Sequence, residues 1–154
     1  KINEKINSKL IMVGDGPDKK KAKEFLRKHN LKNKVIFLGK TNQVDEILCS
    51  SDLFLLPSEK ESFGLAALEA MALKVPVISS NAGGLKDLNI NGNSGYTSDV
   101  GDIDSMAQNA IKILTDSSLE KKYRTQAFEN AKKYDIKKVI PLYEKIYNEA
   151  LNIS

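Results

Sequence analysis

Short apolar runs alternate with helical patterns along this chain, and that alternation constrains its fold more than any other feature. "KLIMVG" (Lys9 to Gly14), "KVIFLG" (Lys34 to Gly39), "DLFLLPS" and "VPVISS" each read as a buried strand closed by a small residue or a proline. "GYTSDV" (Gly95 to Val100) reads as a short fifth. Between them lie "DGPDKKKAKEFLRKHN", with Pro17 suited to a first turn and Asn30 to an end, "NQVDEILCSS", with Asn42 as its N-cap, and "FGLAALEAMALK". Strands that alternate with helices imply βαβ units and a parallel sheet, and runs apolar on both faces imply helices on both sides. The expected class is therefore α/β, a Rossmann-like parallel sheet flanked by helices. From about residue 102 to 152 the chain turns helical: Ile103, Met106, Ala107, Ala110, Ile111 and Leu114 keep helical spacing, as do Val139, Ile140, Tyr143, Ile146, Tyr147 and Ala150. Pro141 belongs near that last helix's first turn or kinks it.

A chain of 154 residues has room for one domain with a core. Lys1 to Ser8 reads as the tail of a helix running into a strand, so the chain is expected to be a cut-out piece of a longer protein. No apolar run is long enough to span a bilayer, and the polar start lacks a secretory leader's apolar region. The single cysteine, Cys49, rules out an internal disulfide and a Cys-rich metal site, which suits a reducing cytoplasm. It is expected as a small core residue, and the lone His29 as a solvated helix end. The net charge of +4 comes from lysines without interleaved aromatics. Nucleic acid is therefore not the expected partner, whereas peripheral contact with an anionic membrane suits the basic surface.

In open parallel sheets ligands bind beyond the carboxyl ends of the strands, which directs attention to four loops expected on one edge. Gly14, Asp15 and Gly16 precede Pro17 in the first. Two glycines allow close approach of a ligand or a tight turn, but neither a complete dinucleotide fingerprint nor a P-loop is present. Lys40 and Asn42 follow the second strand. The third loop leads into "SFGLAALEAMA", with Ser62 as the expected N-cap and a helix start near Phe63 or Gly64. The free N–H groups of Phe63, Gly64 and Leu65 would then form an anion site. Glu61 and Glu69 would bracket it at roughly 10 Å, judged from the helical rise. Spacing alone leaves two readings open: carboxylates for paired hydroxyls of a ligand, or a loop acid and a surface acid. Apolar neighbours around Glu69 make an unpaired carboxylate there costly. The fourth loop, "SSNAGG", offers two glycines for backbone approach or for flexibility.

Together "KLIMVGDGP", "VIFLGK", "SDLFLLPSEKESFGLAALEAMALKVPVISSNAGG" and "GYTSDVGD" resemble the C-terminal donor-binding domain of GT-B glycosyltransferases in retaining family 4, group 1. Glu61 and Glu69 match that family's E-x7-E element, and "SEKESFGL" with "FLGK" looks most like the N-acetylglucosaminyl-malate synthases of bacillithiol biosynthesis. The resemblance implies a partial nucleotide-sugar-binding domain over residues 1–154, the N-terminally truncated C-terminal half of a GT-B fold. It implies that Glu61 holds the donor-sugar hydroxyls and aligns the anomeric carbon. The amides of Phe63, Gly64 and Leu65 would take the sugar and diphosphate, Glu69 the ribose, and Lys40 with its neighbours the base. It further implies a UDP-linked hexosyl donor, no metal, and catalysis by positioning and leaving-group stabilisation.

Departures from the family pattern are Lys86 and Asp87 where Pro-Glu is usual after the double glycine, and Asn91-Gly92 where His-Gly is usual. The family's basic pair for the diphosphate and its acceptor-binding domain would precede Lys1, so the acceptor, a small molecule or a glycan, would be held elsewhere. An uncovered sheet edge would then favour self-association. The alternatives are a Rossmann-type dinucleotide module, disfavoured by the incomplete fingerprint, and an interaction domain that has lost its site.

Overall fold

A computed structural model describes residues 1–151. It contains α1 (Ile2–Lys5), β1 (Leu10–Val13), α2 (Lys19–Lys28), β2 (Val35–Gly39), α3 (Val44–Cys49), β3 (Phe54–Leu56) and α4 (Leu65–Ala72). Then follow β4 (Val77–Ser80), α5 (Leu85–Leu88), β5 (Gly95–Ser98), α6 (Ile103–Thr115), α7 (Ser117–Ala131), a 3-10 turn (Lys132–Tyr134) and α8 (Ile136–Leu151). The expected helical stretch ended at residue 152, which lies outside the described residues. The α/β class with parallel strands and flanking helices is as the alternation requires.

The strands form two parallel sheets rather than the one expected, β1-β2 and β3-β4-β5. Strand β1 pairs with β2, Leu10 with Val35, and β4 pairs with β3, Phe54 with Val77, and with β5, but among the described residues no strand pairing joins β2 to β3. Burial follows from this. All four residues of β4 are buried, because β3 and β5 flank it and helices cover it, whereas all four residues of β1 are exposed. The expectation that every apolar run is a buried strand therefore holds for β4 and fails for β1.

Two apolar clusters sandwich the second sheet. Ala67, Ala70 and Met71 of α4 meet Val77, Leu85 and Leu88, with Ala127 and Ala131 of α7 behind them. On the other side Ile78 packs with Met106, Ala110 and Ile113 of α6 and with Tyr123 of α7. Fully burying one such Leu or Ile contributes about 1.5–3 kcal/mol. Ala67 and Ala70, the small buried residues of α4, let α7 approach it closely, while Met71 supplies bulk to the core. Arg124 of α7 closes the far end of α4 by donating to the Lys74 carbonyl at 3.2 Å and to the Ser51 carbonyl at 3.3 Å. Lys74, at φ 60°, turns the chain there in the left-handed region.

The helix ends correct three expectations. Asn42 is not the cap of α3: Gln43 holds that position, and Thr41 Oγ1 accepts from the Gln43 N–H at 3.1 Å. Cys49 is exposed, because Leu48, with Val44 beside it, faces the core and is the one buried residue of this short helix. Pro17 precedes α2, whose N-cap is Asp18, and Asn30 reverses the chain after it at φ 56°. Helix α8 continues through Pro141, and none of its described residues is buried.

Candidate functional site

Helix α4 begins at Leu65, one to two residues later than the sequence suggested, and Gly64 occupies the N-cap position instead of Ser62. The reason is backbone conformation. Gly64 has φ 96° and ψ 49°, in the left-handed region that a non-glycine residue enters only at a cost. A side chain there would also meet Leu85 Cδ2 at 2.5 Å. No side chain caps α4, and the N–H groups of Phe63, Gly64 and Leu65 donate to no acceptor among the described residues. The Ser62 N–H, in contrast, is taken by its neighbour Glu61, whose Oε1 lies at 3.2 Å. The loop thus ends in three consecutive unsatisfied donors at the positive end of a helix dipole, an arrangement that favours an anionic oxygen cluster.

The two acids differ in setting. Glu61 is half-buried in the loop, and Glu69 is exposed on α4. Glu69 thus lies on the solvent side of the Ala-rich helix, so the desolvation cost inferred from its apolar sequence neighbours does not arise. Phe63 is half-buried and packs edge-on against Tyr134, with ring centroids 5.4 Å apart at 71°. Leu65 and Ser62 are exposed.

What holds this loop in place is the double glycine after β4. A Cβ at Gly83, which has φ 49°, would collide with the Glu61 carbonyl oxygen, and one at Gly84 would lie 2.5 Å from the Ser62 carbonyl oxygen. "AGG" therefore gives close backbone approach, but the backbone it admits is the protein's own. Ser80 Oγ adds a hydrogen bond to the Ser58 carbonyl at 2.5 Å. The ends of β3 and β4 are locked together, and Glu61 rides on that junction.

On the other sheet the Gly14 N–H donates to the Gly39 carbonyl at 2.8 Å, so this amide joins the ends of β1 and β2 and is not free for a ligand. Asp15 accepts from the Gly16 N–H at 2.9 Å and pairs with Lys19 at 3.3 Å. The Gly16 hydrogen bond and then Lys19 hold its carboxyl below the usual carboxylate range. Gly16, Lys40 and Asn42 are exposed. The four loops thus form two pairs, one at the end of each sheet. Glu61, Ser62, Phe63, Gly64, Leu65 and Glu69 come together in one; Gly14, Asp15, Gly16, Lys40 and Asn42 belong to the other.

Residues 1–134 match the family model described as Glycosyl transferases group 1. The chain is 40% identical over 152 residues to the N-acetyl-alpha-D-glucosaminyl L-malate synthase of Bacillus anthracis, covering 98% of this chain and 40% of that protein. It is 34% identical over 142 residues to the 2-deoxystreptamine N-acetyl-D-glucosaminyltransferase of Niallia circulans, covering 90% and 36%. Among solved structures it superposes on Staphylococcus aureus TarM, in complex with fondaparinux, alpha-GlcNAc-glycerol and UDP, with a TM-score of 0.89 at 25% identity. That match covers 96% of this chain and 30% of TarM. The chain spans about two fifths of the length of the curated relatives it matches.

Proposed function

The chain belongs to the group 1 glycosyl transferases, and from that premise we propose that it is the donor-binding half of a retaining glycosyltransferase. The whole protein would move a hexosyl group, N-acetylglucosaminyl by the names of its relatives, from a UDP-sugar to an acceptor held by further chain. One observation carries the reading: the three free N–H groups of Phe63, Gly64 and Leu65 at the start of α4, with a carboxylate on either side. The diphosphate sits against those donors. Glu69, on the exposed side of α4, accepts from the ribose hydroxyls, and Glu61 accepts from the donor-sugar hydroxyls and aligns the anomeric carbon. Ser62, exposed beside Glu61, and Lys40 and Asn42 with the Gly14–Gly16 loop complete the donor side.

The chemistry asked of these residues is positioning and charge stabilisation. As the bond from the anomeric carbon to the diphosphate breaks, negative charge grows on the leaving oxygen, and fixed N–H donors stabilise it without reorganising. No metal enters this scheme. The acceptor is a small hydroxy compound or a glycan, and the enzyme works in the cytoplasm.

The test is calorimetric and kinetic, on the full-length protein with UDP and UDP-N-acetylglucosamine. Glu69→Ala weakens UDP binding by roughly tenfold or more, as expected for loss of a hydrogen bond to a charged group. Glu61→Gln leaves UDP affinity unchanged and lowers kcat by about 100-fold, in the range for misplacement of the reacting carbon. Unchanged UDP affinity in Glu69→Ala would overturn the ribose assignment. Binding of UDP-sugar without transfer to any acceptor would leave a nucleotide-binding module instead. Residues 1–154 alone give no sugar transfer, and robust transfer by them would overturn the need for further chain.

A further inference from the structure

A cavity lies at the carboxyl ends of β4 and β5, and none of the proposed donor-binding residues lines it. Its volume is about 470 Å³, within the usual range for small-molecule sites. Four carboxamides face it, Asn81 beyond β4, Asn91 before β5, and Gln108 and Asn109 of α6. Ser98, at the end of β5, also lines it and is only 8% exposed. Its hydroxyl oxygen is buried and has no hydrogen-bond partner among the described residues, although a buried hydroxyl ordinarily finds one. A ligand hydroxyl would supply the missing partner.

The lining chemistry selects the ligand. No Lys or Arg lines the cavity, while two carboxylates, Asp99 and Asp102, do, so phosphate and other anions are repelled. A cation is poorly served as well. Asp99 already accepts from Asn81 Nδ2 at 2.6 Å, and Asp102 already accepts from the Ser105 N–H at 2.9 Å. Among the described residues no three metal-ligating side chains converge. Carboxamides, hydroxyls and carboxylates instead offer both donors and acceptors, as adjacent hydroxyls on a ring require.

We propose that this cavity binds a neutral sugar unit, separately from the donor site. The unit is either a free hexose or the end of a glycan, and the affinity expected for one ring is on the order of millimolar.

The experiment is a nuclear magnetic resonance titration of the 154-residue chain with glucose, maltotriose and inorganic phosphate. Glucose or maltotriose gives saturable shifts at the side-chain amides of Asn81, Gln108 and Asn109 and at the Ser98 backbone amide, and phosphate gives none. Tighter binding of maltotriose identifies a glycan end, and equal binding a single ring. Ser98→Ala does not lower the free protein's Tm, since its hydroxyl has no partner to lose, yet raises the glucose Kd at least fivefold. Gln108→Ala raises it comparably. Glu61→Gln leaves these shifts intact, which separates this site from the donor reading. Absence of saturable shifts at 50–100 mM sugar (roughly 50 times the expected Kd), shifts with phosphate, or a Ser98→Ala protein that binds glucose normally would each overturn the proposal.

Discussion

Four glycines separate the two costs of adding a methyl group to a backbone. Gly16 is outside the left-handed region and has open space where a Cβ would stand. Gly92 has φ 74° and the same open space. Gly95 has an ordinary φ, but its Cβ would collide with the Val77 carbonyl oxygen and lie 2.8 Å from Asn89 Oδ1. Gly83 combines φ 49° with a collision against the Glu61 carbonyl oxygen. Replacing glycine by alanine also restricts the unfolded chain, which stabilises by about 0.4–1 kcal/mol. Gly16→Ala is thus neutral or stabilising by about 0.5 kcal/mol. A left-handed alanine costs about 1–2 kcal/mol, so Gly92→Ala destabilises by roughly 0.5–1.5 kcal/mol. Forced contact with backbone costs about 1–3 kcal/mol, so Gly95→Ala loses roughly 1–2 kcal/mol net. Gly83→Ala carries both penalties and loses about 2–4 kcal/mol, a fall in Tm of roughly 5–12 °C for a chain of this size. Urea unfolding of the four variants with a common m-value measures the series. If Gly83→Ala is no worse than Gly92→Ala, the Glu61 loop is not wedged against the double glycine, and the account of how Glu61 is positioned is wrong.

Two further outcomes follow from the electrostatics and from the open sheet. Asp102 caps α6, and hydrogen bonds from Ser105, side chain first and then backbone, hold its carboxyl below the usual range. A depressed folded pKa stabilises fully above the unfolded value near 3.9 and loses that contribution as pH falls through the folded value. Asp102→Asn keeps a capping oxygen but cannot ionise, so its Tm lies below that of the parent at pH 7 and the gap closes below about pH 4. A gap that stays constant down to pH 2.5 (about 1.4 units below the unfolded value) would refute this. The apolar residues Leu10 to Val13 of β1 are 38–42% exposed, and one edge of that strand is unpaired among the described residues. We expect the chain to self-associate in sedimentation experiments at rising concentration and Ile11→Lys to reduce this, because a charge at a strand edge opposes pairing. A monomer at every concentration would exclude that edge as an association surface.

The strands were legible because each is a short apolar run with a small residue or proline behind it, a pattern that hardly depends on the rest of the chain. Their burial was not legible, since it depends on which neighbour covers each run: "LIMV" and "VISS" are both apolar enough for a core, and only the second has strands on either side. The start of α4 was misplaced because Ser62 is a good cap by chemistry, while the decision lay in the backbone of Gly64 and its fit against Leu85. The acids in "SEKESFGLAALEA" were visible from spacing, but not the exposure of Glu69, which depends on which side of an almost uniformly apolar helix faces inward. Helix α5 escaped notice because four residues of "LKDL" show no period. The cavity beyond β4 and β5 left no motif at all, for its residues come from four segments between Asn81 and Asn109 and meet only in the fold.

Asn89 is fully buried. Its Nδ2 lies 3.2 Å from the Val77 carbonyl, 3.0 Å from Ser79 Oγ and 3.0 Å from the Tyr96 carbonyl. Its Oδ1 accepts from Ser94 Oγ at 3.2 Å. One carboxamide thus reads two residues of β4 and one of β5 at once. Slipping either strand by a single residue would turn its side chains to the wrong face and also break this amide's contacts to that strand. Its larger effect is therefore on the choice among folds: mispaired arrangements of two similar strands become expensive, and the correct arrangement is left without a close competitor.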